Sequence, residues 1–348
     1  MSQTVSARHT TPGMWLVGAL TVLGTVIAGV CIGAVHIAPI DALAVIANHI
    51  PGVHCATSAS ASDSAIIWDL RFPRIVLALL VGAMLAASGC SYQGTFRNPL
   101  ADPYLLGVSA GAGLGATTCI VLTSNHNVHW LLPLAAFIGA MIAVALTYSL
   151  GRSALVGRSA TSLVLAGVAV ASMLTAIQTL IQQRNSDKIR EVYGWILGRL
   201  STSGWTDVEL VAPYIVICIA VLFQYRRVLD VFAVGDEEAL TMGLPVARAR
   251  AAIIIAASLG TAAAVSVTGL IGFVGIIVPH SLRLLMGNSY RRLLPQTAIF
   301  GGVFLVCADI VARTALAPQE IPIGVVTALI GAPFFLLVLG SSRHGDLT

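Results

Sequence analysis

The residues of this sequence that could do chemistry are scattered, and the spacings that build common catalytic or metal sites are absent from it. The eight histidines include no H-x₃-H or H-E-x-x-H pair, the spacing that puts two zinc ligands on one helix face. The six cysteines include no C-x-x-C pair, and most lie inside apolar blocks, where cysteine packs as a small apolar residue. The sequence therefore predicts neither catalysis nor a bound metal ion.

A glycine-rich run, Gly107–Gly115, could suggest a phosphate-binding loop. It does not follow the G-x-G-x-x-G spacing, and the chain contains no G-x-x-x-x-G-K-[ST] motif. Pro99 and Pro103 come just before the run, and closely spaced prolines and glycines favour backbone that turns back into surrounding protein. We expect such a turn here, and no nucleotide or other cofactor bound by this chain.

One carboxylate, Asp309, is predicted to lie inside an apolar segment. Carboxylates at such positions serve ion coupling or proton relay in carriers. Arg313 follows four residues later on the same helix face, so a local ion pair is the other interpretation. The residues alone leave both open.

The elements that must hold these residues are predominantly apolar. The 348 residues are 57% hydrophobic and 10% charged, whereas about 25% of residues are charged in soluble domains. Mean hydropathy is +0.90, and the net charge of +4 comes from basic residues too scattered to form a nucleic-acid footprint. The sequence predicts an integral membrane protein that binds no nucleic acid.

Apolar segments of roughly 20 residues, the length needed to cross a bilayer, predict an all-α bundle of about ten transmembrane helices. The long block 103–150 is divided at the polar run 123–127, and 251–286 is divided near Gly269 and Gly272. The predicted spans are 14–40, 75–96, the two parts of 103–150, 159–183, 207–225, the two parts of 251–286, 296–316 and 322–340. Residues 14–340 form a single domain, with short tails at 1–13 and 341–348.

The basic residues predict the orientation. Twelve of the 19 Lys and Arg residues fall on the side that holds both termini and seven on the other side, so both termini are predicted to be cytoplasmic. Four tryptophans fall near the opposite, outer span ends, as an aromatic belt would place them: Trp68, Trp130, Trp195 and Trp205. The most charged cytoplasmic linker is 226–250, with eight charges in 25 residues.

Four stretches resemble the FecCD/BtuC-type permeases along most of the chain. They are Arg71-Phe-Pro-Arg74, the segment 97–109 beginning Arg-Asn-Pro-Leu-Ala-Asp-Pro, the segment 269–283 beginning Gly-Leu-Ile-Gly-Phe-Val-Gly, and the segment 321–333 beginning Ile-Pro-Ile-Gly-Val-Val. These permeases are the membrane subunits of type II ABC importers for ferric siderophores, haem and cobalamin. The resemblance implies a second copy of this chain, two ATPase subunits that use ATP on the cytoplasmic face, and a substrate-binding protein outside.

The resemblance also implies roles for particular residues. Arginines at the outer ends of the second and ninth spans would receive acidic residues of the binding protein: Arg71, Arg74 and Arg313. The alternative is that these arginines only anchor helix ends at the membrane interface. The linker would form short coupling helices against the ATPase, broken at Gly243-Leu-Pro245, or it could be a merely solvated loop. Its predicted coupling residues are Asp236, Glu237, Glu238, Leu240, Gly243, Leu244 and Pro245.

Two further sites are expected in the fifth span. The resemblance places a cytoplasmic gate at its start, for which Thr161 and Ser162 are the candidates. Gln178 and Gln182, with Gln183, could line the pathway near its outer end, or form a polar face toward a neighbouring helix.

The sequence thus predicts a permease subunit in the inner membrane of a prokaryote that imports a bulky metal chelate, with ferric siderophore the first guess. An ion-coupled secondary carrier and a membrane-embedded enzyme are the alternatives.

Overall fold

The computed structural model describes residues 12–33, 35, 37–123, 130–151, 160–200 and 204–345, and helices with short connections make up this part of the chain. No strand occurs within those ranges. The helices are α1 Pro12–Cys31, α2 Pro39–Asn48, α3 Ala61–Ala65, α4 Phe72–Phe96, α5 Val108–Leu122, α6 Leu131–Gly151, α7 Ala160–Arg184, α8 Ile189–Ile196, α9 Trp205–Gln224, α10 Arg226–Val234, α11 Asp236–Thr241, α12 Val246–Thr268, α13 Val274–Met286, α14 Tyr290–Thr314 and α15 Ile323–Gly345.

The predicted all-α bundle with about ten spans is confirmed. Within the described residues, seven helical segments are long and apolar enough to cross a membrane, and they include α1, α4, α6, α7, α9, α12 and α14. The shorter apolar helices α5 and α13, and the apolar part of α15, occupy the positions of the three other predicted spans. The remaining helices are short connections between the spans.

The first predicted span, 14–40, was too long. Helix α1 ends at Cys31, and the apolar residues after it belong to a connection and to the separate helix α2. Pro39 occupies the first turn of α2, where a backbone N–H has no acceptor within the helix. Proline is therefore tolerated there, and a new helix begins. Hydropathy could not distinguish these two elements because both are apolar.

The second predicted span, 75–96, was too short. The helix that contains it runs without interruption from Ala61 to Phe96, through a π-helical turn at Ile66–Arg71. Its start is fixed by a capping box, in which the hydroxyl of Ser60 accepts from the backbone N–H of Asp63 and the Asp63 carboxylate accepts from the backbone N–H of Ser60. The charges at the start of this helix concealed it from a search for apolar segments.

Helix α4 is the centre of the bundle and packs on two helices through pairs of glycines. A Cβ on Gly82 would collide with the carbonyl of Gly301 in α14, and one on Gly89 would collide with the carbonyl of Gly275 in α13. Small residues let helices in lipid approach until their backbones touch, which supplies van der Waals contact where no hydrophobic driving force operates.

Two segments of irregular backbone contact each other in the interior of the bundle. Residues 97–107, between α4 and α5, place the Tyr104 hydroxyl so that it donates to the carbonyl of Ile271 at 2.9 Å and accepts from the Ile271 N–H at 3.0 Å. Ile271 belongs to the connection between α12 and α13. Non-helical backbone is tolerated at this depth because protein surrounds it and pairs its polar groups. The predicted inward turn before Gly107 is present.

The bundle has two chemically distinct ends. The arginine end contains Arg74, Arg313 and Glu320, and the α11 end contains the short helices α10 and α11. Because α4 runs the full length between them, Arg74 in its first turn and Phe96 in its last turn lie at opposite ends.

Candidate functional site

An ion-pair cluster joins α4 to α14 at the arginine end. The Arg74 guanidinium lies 2.8 Å from the carboxylate of Asp309 and 2.8 Å from that of Glu320. Arg313 approaches Asp309 from the other side at 3.5 Å. Asp309 is 1% exposed, so its charge is removed from solvent and balanced by two guanidinium groups. The local ion pair is therefore present, with Arg74, 235 residues away in the chain, as an additional partner.

Two arginines at this end bind backbone carbonyls at the C-terminal end of α1 and, in Val35, just beyond it. Arg71 donates to the carbonyls of Val30 and Val35, and Arg313 donates to the carbonyl of Gly29. The last carbonyls of a helix have no partner within it, and α1 has no basic residue in its own last turn. Arginines from α14 and from the end of the π-helical turn thus supply the missing donors.

The three predicted docking arginines are therefore brought together, but they do not point freely outward. Arg71 is 8% exposed, and the side chains of Arg313 and Arg74 are 7% and 14% exposed. Hydrogen bonds within the subunit already engage all three guanidinium groups. Their docking role remains a prediction.

Sequence reasoning missed two charged residues beside this cluster. Glu320 lies in the connection between α14 and α15, with its side chain 48% exposed, and it binds Arg74 through both carboxylate oxygens, at 2.8 and 3.0 Å. Arg199 follows α8 and is exposed. Both residues line a cavity of about 140 Å³ with Arg74. The signal that could have found them is their position, since both charges fall in short loops on the predicted outer side.

Aromatic rings pack together at the same end. Trp68 stacks on His49 with ring centroids 3.7 Å apart, and Trp205 lies 5.0 Å from Trp68 and donates its indole N–H to the Trp68 carbonyl. Trp195, which was predicted at the membrane interface, is instead 4% exposed inside the subunit. A tryptophan near a span end can thus serve the core as well as the interface.

At the α11 end, the first residue of α11 ties that helix to two others. The Asp236 carboxylate accepts from Arg250 in α12 at 2.8 Å and lies 3.7 Å from Arg97, which follows α4. The Arg250 guanidinium also lies over the ring of buried Phe232 in α10, 5.3 Å from its centroid. One ion-pair cluster thus joins α10, α11, α12 and the end of α4.

A second carboxylate, Asp230 in α10, caps α14. It accepts from the backbone N–H of Tyr290 at 2.5 Å, from that of Arg291 at 3.3 Å and from the hydroxyl of Ser289 at 3.1 Å. A carboxylate at a helix N-terminus pairs the free N–H groups and complements the helix dipole. The short helices are therefore held to the bundle by two separate acidic side chains, and the sequence indicated neither bond.

The remaining predicted coupling residues differ in how exposed they are. Glu237, Glu238, Leu240 and Pro245 are exposed, and Leu244 is half-buried. Gly243 has φ +76°, and Pro245 immediately precedes α12, so the predicted break between two helices is present. Leu240 is 61% exposed, and two other apolar side chains are similarly open nearby in the chain, Val234 at 65% and Met242 at 64%. This pattern leaves an apolar surface on α11 and its flanks.

The predicted gate and pathway residues lie in α7. Thr161 is exposed and Ser162 is buried, while the preceding residues 152–159 lie outside the described part of the chain. Gln178 is 8% exposed and lies against Gly113 of α5, so it packs between two helices of one subunit, and its place in the pathway stays a prediction. Gln182 is half-buried and Gln183 exposed.

Known proteins that resemble this chain are transport permeases. Residues 20–341 match the FecCD transport family. The chain is 46% identical over 276 residues to the cobalamin import system permease protein BtuC of Halobacterium salinarum, covering 79% of this chain and 73% of that one. It is 36% identical to the ABC transporter permease protein YvrB of Bacillus subtilis, covering 98% of this chain and 97% of the other.

A solved structure has the same fold. It is a metal-chelate type ABC transporter in an inward-facing conformation, with a TM-score of 0.82 and 28% identity, covering 95% of this chain and 99% of that one. The sequence-based resemblance is confirmed, and the ion-coupled carrier is not favoured, in agreement with the pairing of Asp309 to two arginines. The chain belongs to the FecCD transport family and is the multi-pass membrane permease subunit of an ABC importer.

Proposed function

We propose that this permease imports cobalamin across the inner membrane of a prokaryote. The observation that supports this substrate is the 46% identity to a permease named for cobalamin import. Ferric siderophore, the first guess from sequence alone, becomes the second candidate, supported by 36% identity to the probable iron chelatin permease of Helicobacter pylori. Both are bulky metal chelates, and haem belongs to the same chemical class.

The proposed assembly contains two copies of this chain, two ATPase subunits and one substrate-binding protein. The excess of basic residues on that side supports a cytoplasmic position for the α11 end and both termini. The arginine end then faces outward, where the binding protein docks. Hydrolysis of ATP occurs in the partner subunits, and transport follows because ATP binding favours one of two permease conformations.

The exposed apolar surface of α11 is the proposed ATPase contact. Leu240→Asp puts a charge into that contact, where an unpaired buried charge is strongly unfavourable. Because Leu240 is open in the free subunit, we expect the variant to fold and to lose co-purifying ATPase. Leu240→Met, which keeps the side chain apolar at the same exposed position, is the control and should retain the ATPase. Normal ATPase association by the Leu240 variant would contradict this contact.

The proposed gate is the start of α7. Thr161 is exposed at the cytoplasmic end of that helix, so its hydroxyl can face a second copy of the chain. Ser162, buried in its own subunit, then supports the position of Thr161.

The transport proposal is tested by reconstitution. Proteoliposomes that contain this permease and its ATPase, loaded with ATP and supplied with the cognate binding protein, should accumulate radiolabelled cyanocobalamin. A ferric hydroxamate siderophore offered in the same way should accumulate far less. Uptake of the siderophore but not of cyanocobalamin would make the siderophore the substrate. Uptake driven by an ion gradient without ATP would refute the proposed mechanism.

A further inference from the structure

The cavity beside the arginine cluster is lined by a carboxylate of the subunit itself, that of Glu320. Its walls come from the connection after α8, which contributes Arg199, and the connection before α15, which contributes Glu320. Arg74 lies between them. The cavity, about 140 Å³ in volume, can receive one short acidic side chain in addition to the one it holds.

The two carboxylates bound to Arg74 differ in how firmly they are held. Asp309 is 1% exposed and lies on a spanning helix, and its removal would leave guanidinium charge buried without a partner. Glu320 is 48% exposed and lies in a connection, three residues before α15. An exposed ion pair contributes little net free energy because water and salt compensate for its loss. The Glu320 side of Arg74 is therefore the exchangeable side.

Arg199 gives the cavity a second cation. Its side chain is exposed, and it makes no ion pair within the described residues. The charge that Arg199 adds is not balanced by Glu320, which is already bound to Arg74. A second carboxylate would therefore be attracted to this cavity.

We propose that Glu320 is a resident ligand of Arg74, which an acidic side chain of the substrate-binding protein replaces when it docks, with Arg199 as its second cation. This proposal rests on the proposed docking of that protein at the arginine end. Replacement exchanges one carboxylate for another on Arg74, so the buried bond to Asp309 is untouched. Docking excludes water from the cavity, which strengthens the new pair relative to the exposed pair that it replaces.

The proposal predicts effects of opposite sign at the two residues. Glu320→Gln keeps a hydrogen-bond acceptor for Arg74 but removes the competing charge, so the binding protein should bind more tightly, by about threefold to tenfold. Arg199→Glu puts a negative charge in the cavity and should weaken binding by roughly tenfold or more. Arg190→Glu, an exposed arginine of α8 at the same end that does not line the cavity, is the control and should change affinity less than about twofold.

The measurement is the dissociation constant of the cognate binding protein for the permease–ATPase complex in nanodiscs, by surface plasmon resonance at two salt concentrations. Tighter binding by Glu320→Gln is the result expected if the Glu320 carboxylate must leave Arg74 before the binding protein can dock. Unchanged or weaker binding by that variant, with an unaltered unfolding temperature, overturns the proposal. An Arg199→Glu variant equal to the Arg190→Glu control overturns the role of Arg199.

Failure of the inference and failure of the proposed function give different results. If the wild-type complex binds the protein and imports substrate while Glu320→Gln and Arg199→Glu behave as wild type, docking occurs elsewhere and only this inference falls. If the wild-type complex neither binds that protein nor imports substrate with it, the proposed function falls and the inference falls with it.

Discussion

The bond between Asp236 and Arg250 provides a direct test of how motion passes from the ATPase to the membrane. Asp236→Asn keeps the size of the side chain and one oxygen acceptor but removes its charge. Arg250 then keeps its contact with the ring of Phe232 but loses its ion pair with Asp236. We expect α11 to detach more often from α12 while the rest of the bundle stays folded.

The size of the effect follows from the geometry. Two contacts, at 2.8 and 3.0 Å, join the Asp236 oxygens to one nitrogen of Arg250, whose side chain is 15% exposed. A hydrogen bond to a charged group contributes about 1.5–3 kcal/mol. The 36% exposure of Asp236 favours the lower half of that range. The looser contact with Arg97, at 3.7 Å and half exposed, adds at most about 0.5 kcal/mol. A total of about 2 kcal/mol corresponds to a roughly 30-fold shift toward detached α11.

The assay compares transport with hydrolysis in the same proteoliposomes. Asp236→Asn should assemble with the ATPase and hydrolyse ATP, but the substrate imported per ATP hydrolysed should fall, by at most the roughly 30-fold shift toward detached α11, since hydrolysis no longer moves α12 reliably. Asp236→Glu, which keeps the charge, should recover most of the ratio. A wild-type ratio in Asp236→Asn would show that this bond only stabilises the loop.

Two other changes follow from packing and from pH. Gly89→Ala forces α4 away from the carbonyl of Gly275 and should lower the free energy of unfolding by about 1–3 kcal/mol, measured as a lower unfolding temperature in detergent. In the control Gly24→Ala the new Cβ has no neighbouring atom within 4 Å, so its unfolding temperature should match or exceed that of wild type. The Ser58 hydroxyl and N–H donate to Asp41 and lower the pKa of that carboxyl. Because a lowered pKa stabilises the folded form above the ordinary value of about 3.9, hydrogen exchange of residues 39–60 should accelerate as pH falls below that value, after correction for intrinsic rates. Asp41→Asn should lose this pH dependence, and an unaltered pH profile in that variant would exclude the carboxylate as its cause.

The fold could be predicted from sequence largely because lipid imposes a simple rule on it. Apolar length gave about ten helices, and the glycines near 269–272 marked where the long block 251–286 divides into α12 and α13. Hydropathy failed where a helix begins with charges, as at Ala61, and where two apolar elements follow each other, as around Pro39. In both places the boundary depends on capping or on proline, which act residue by residue.

The candidate sites were harder to predict because their bonds join distant parts of the chain. Arg74 was recognisable as a functional arginine from its local motif, but its partners Asp309 and Glu320 lie 235 and 246 residues further on. Asp236 was named as an ATPase contact, whereas its carboxylate faces Arg250 in its own subunit. Residue type and spacing indicate that a charge matters, and only the packing of helices decides which partner it meets.

The arginine donors at the end of α1 have a consequence for how the chain is made. During synthesis α1 leaves the ribosome before α4 and α14, and Arg71 follows 41 residues after Val30, whose carbonyl it binds. Arg313, which binds the carbonyl of Gly29, follows 284 residues later, so α14 must be inserted before this contact can form. The end of α1 therefore acquires its donors in two steps, first from Arg71 and only after insertion of α14 from Arg313.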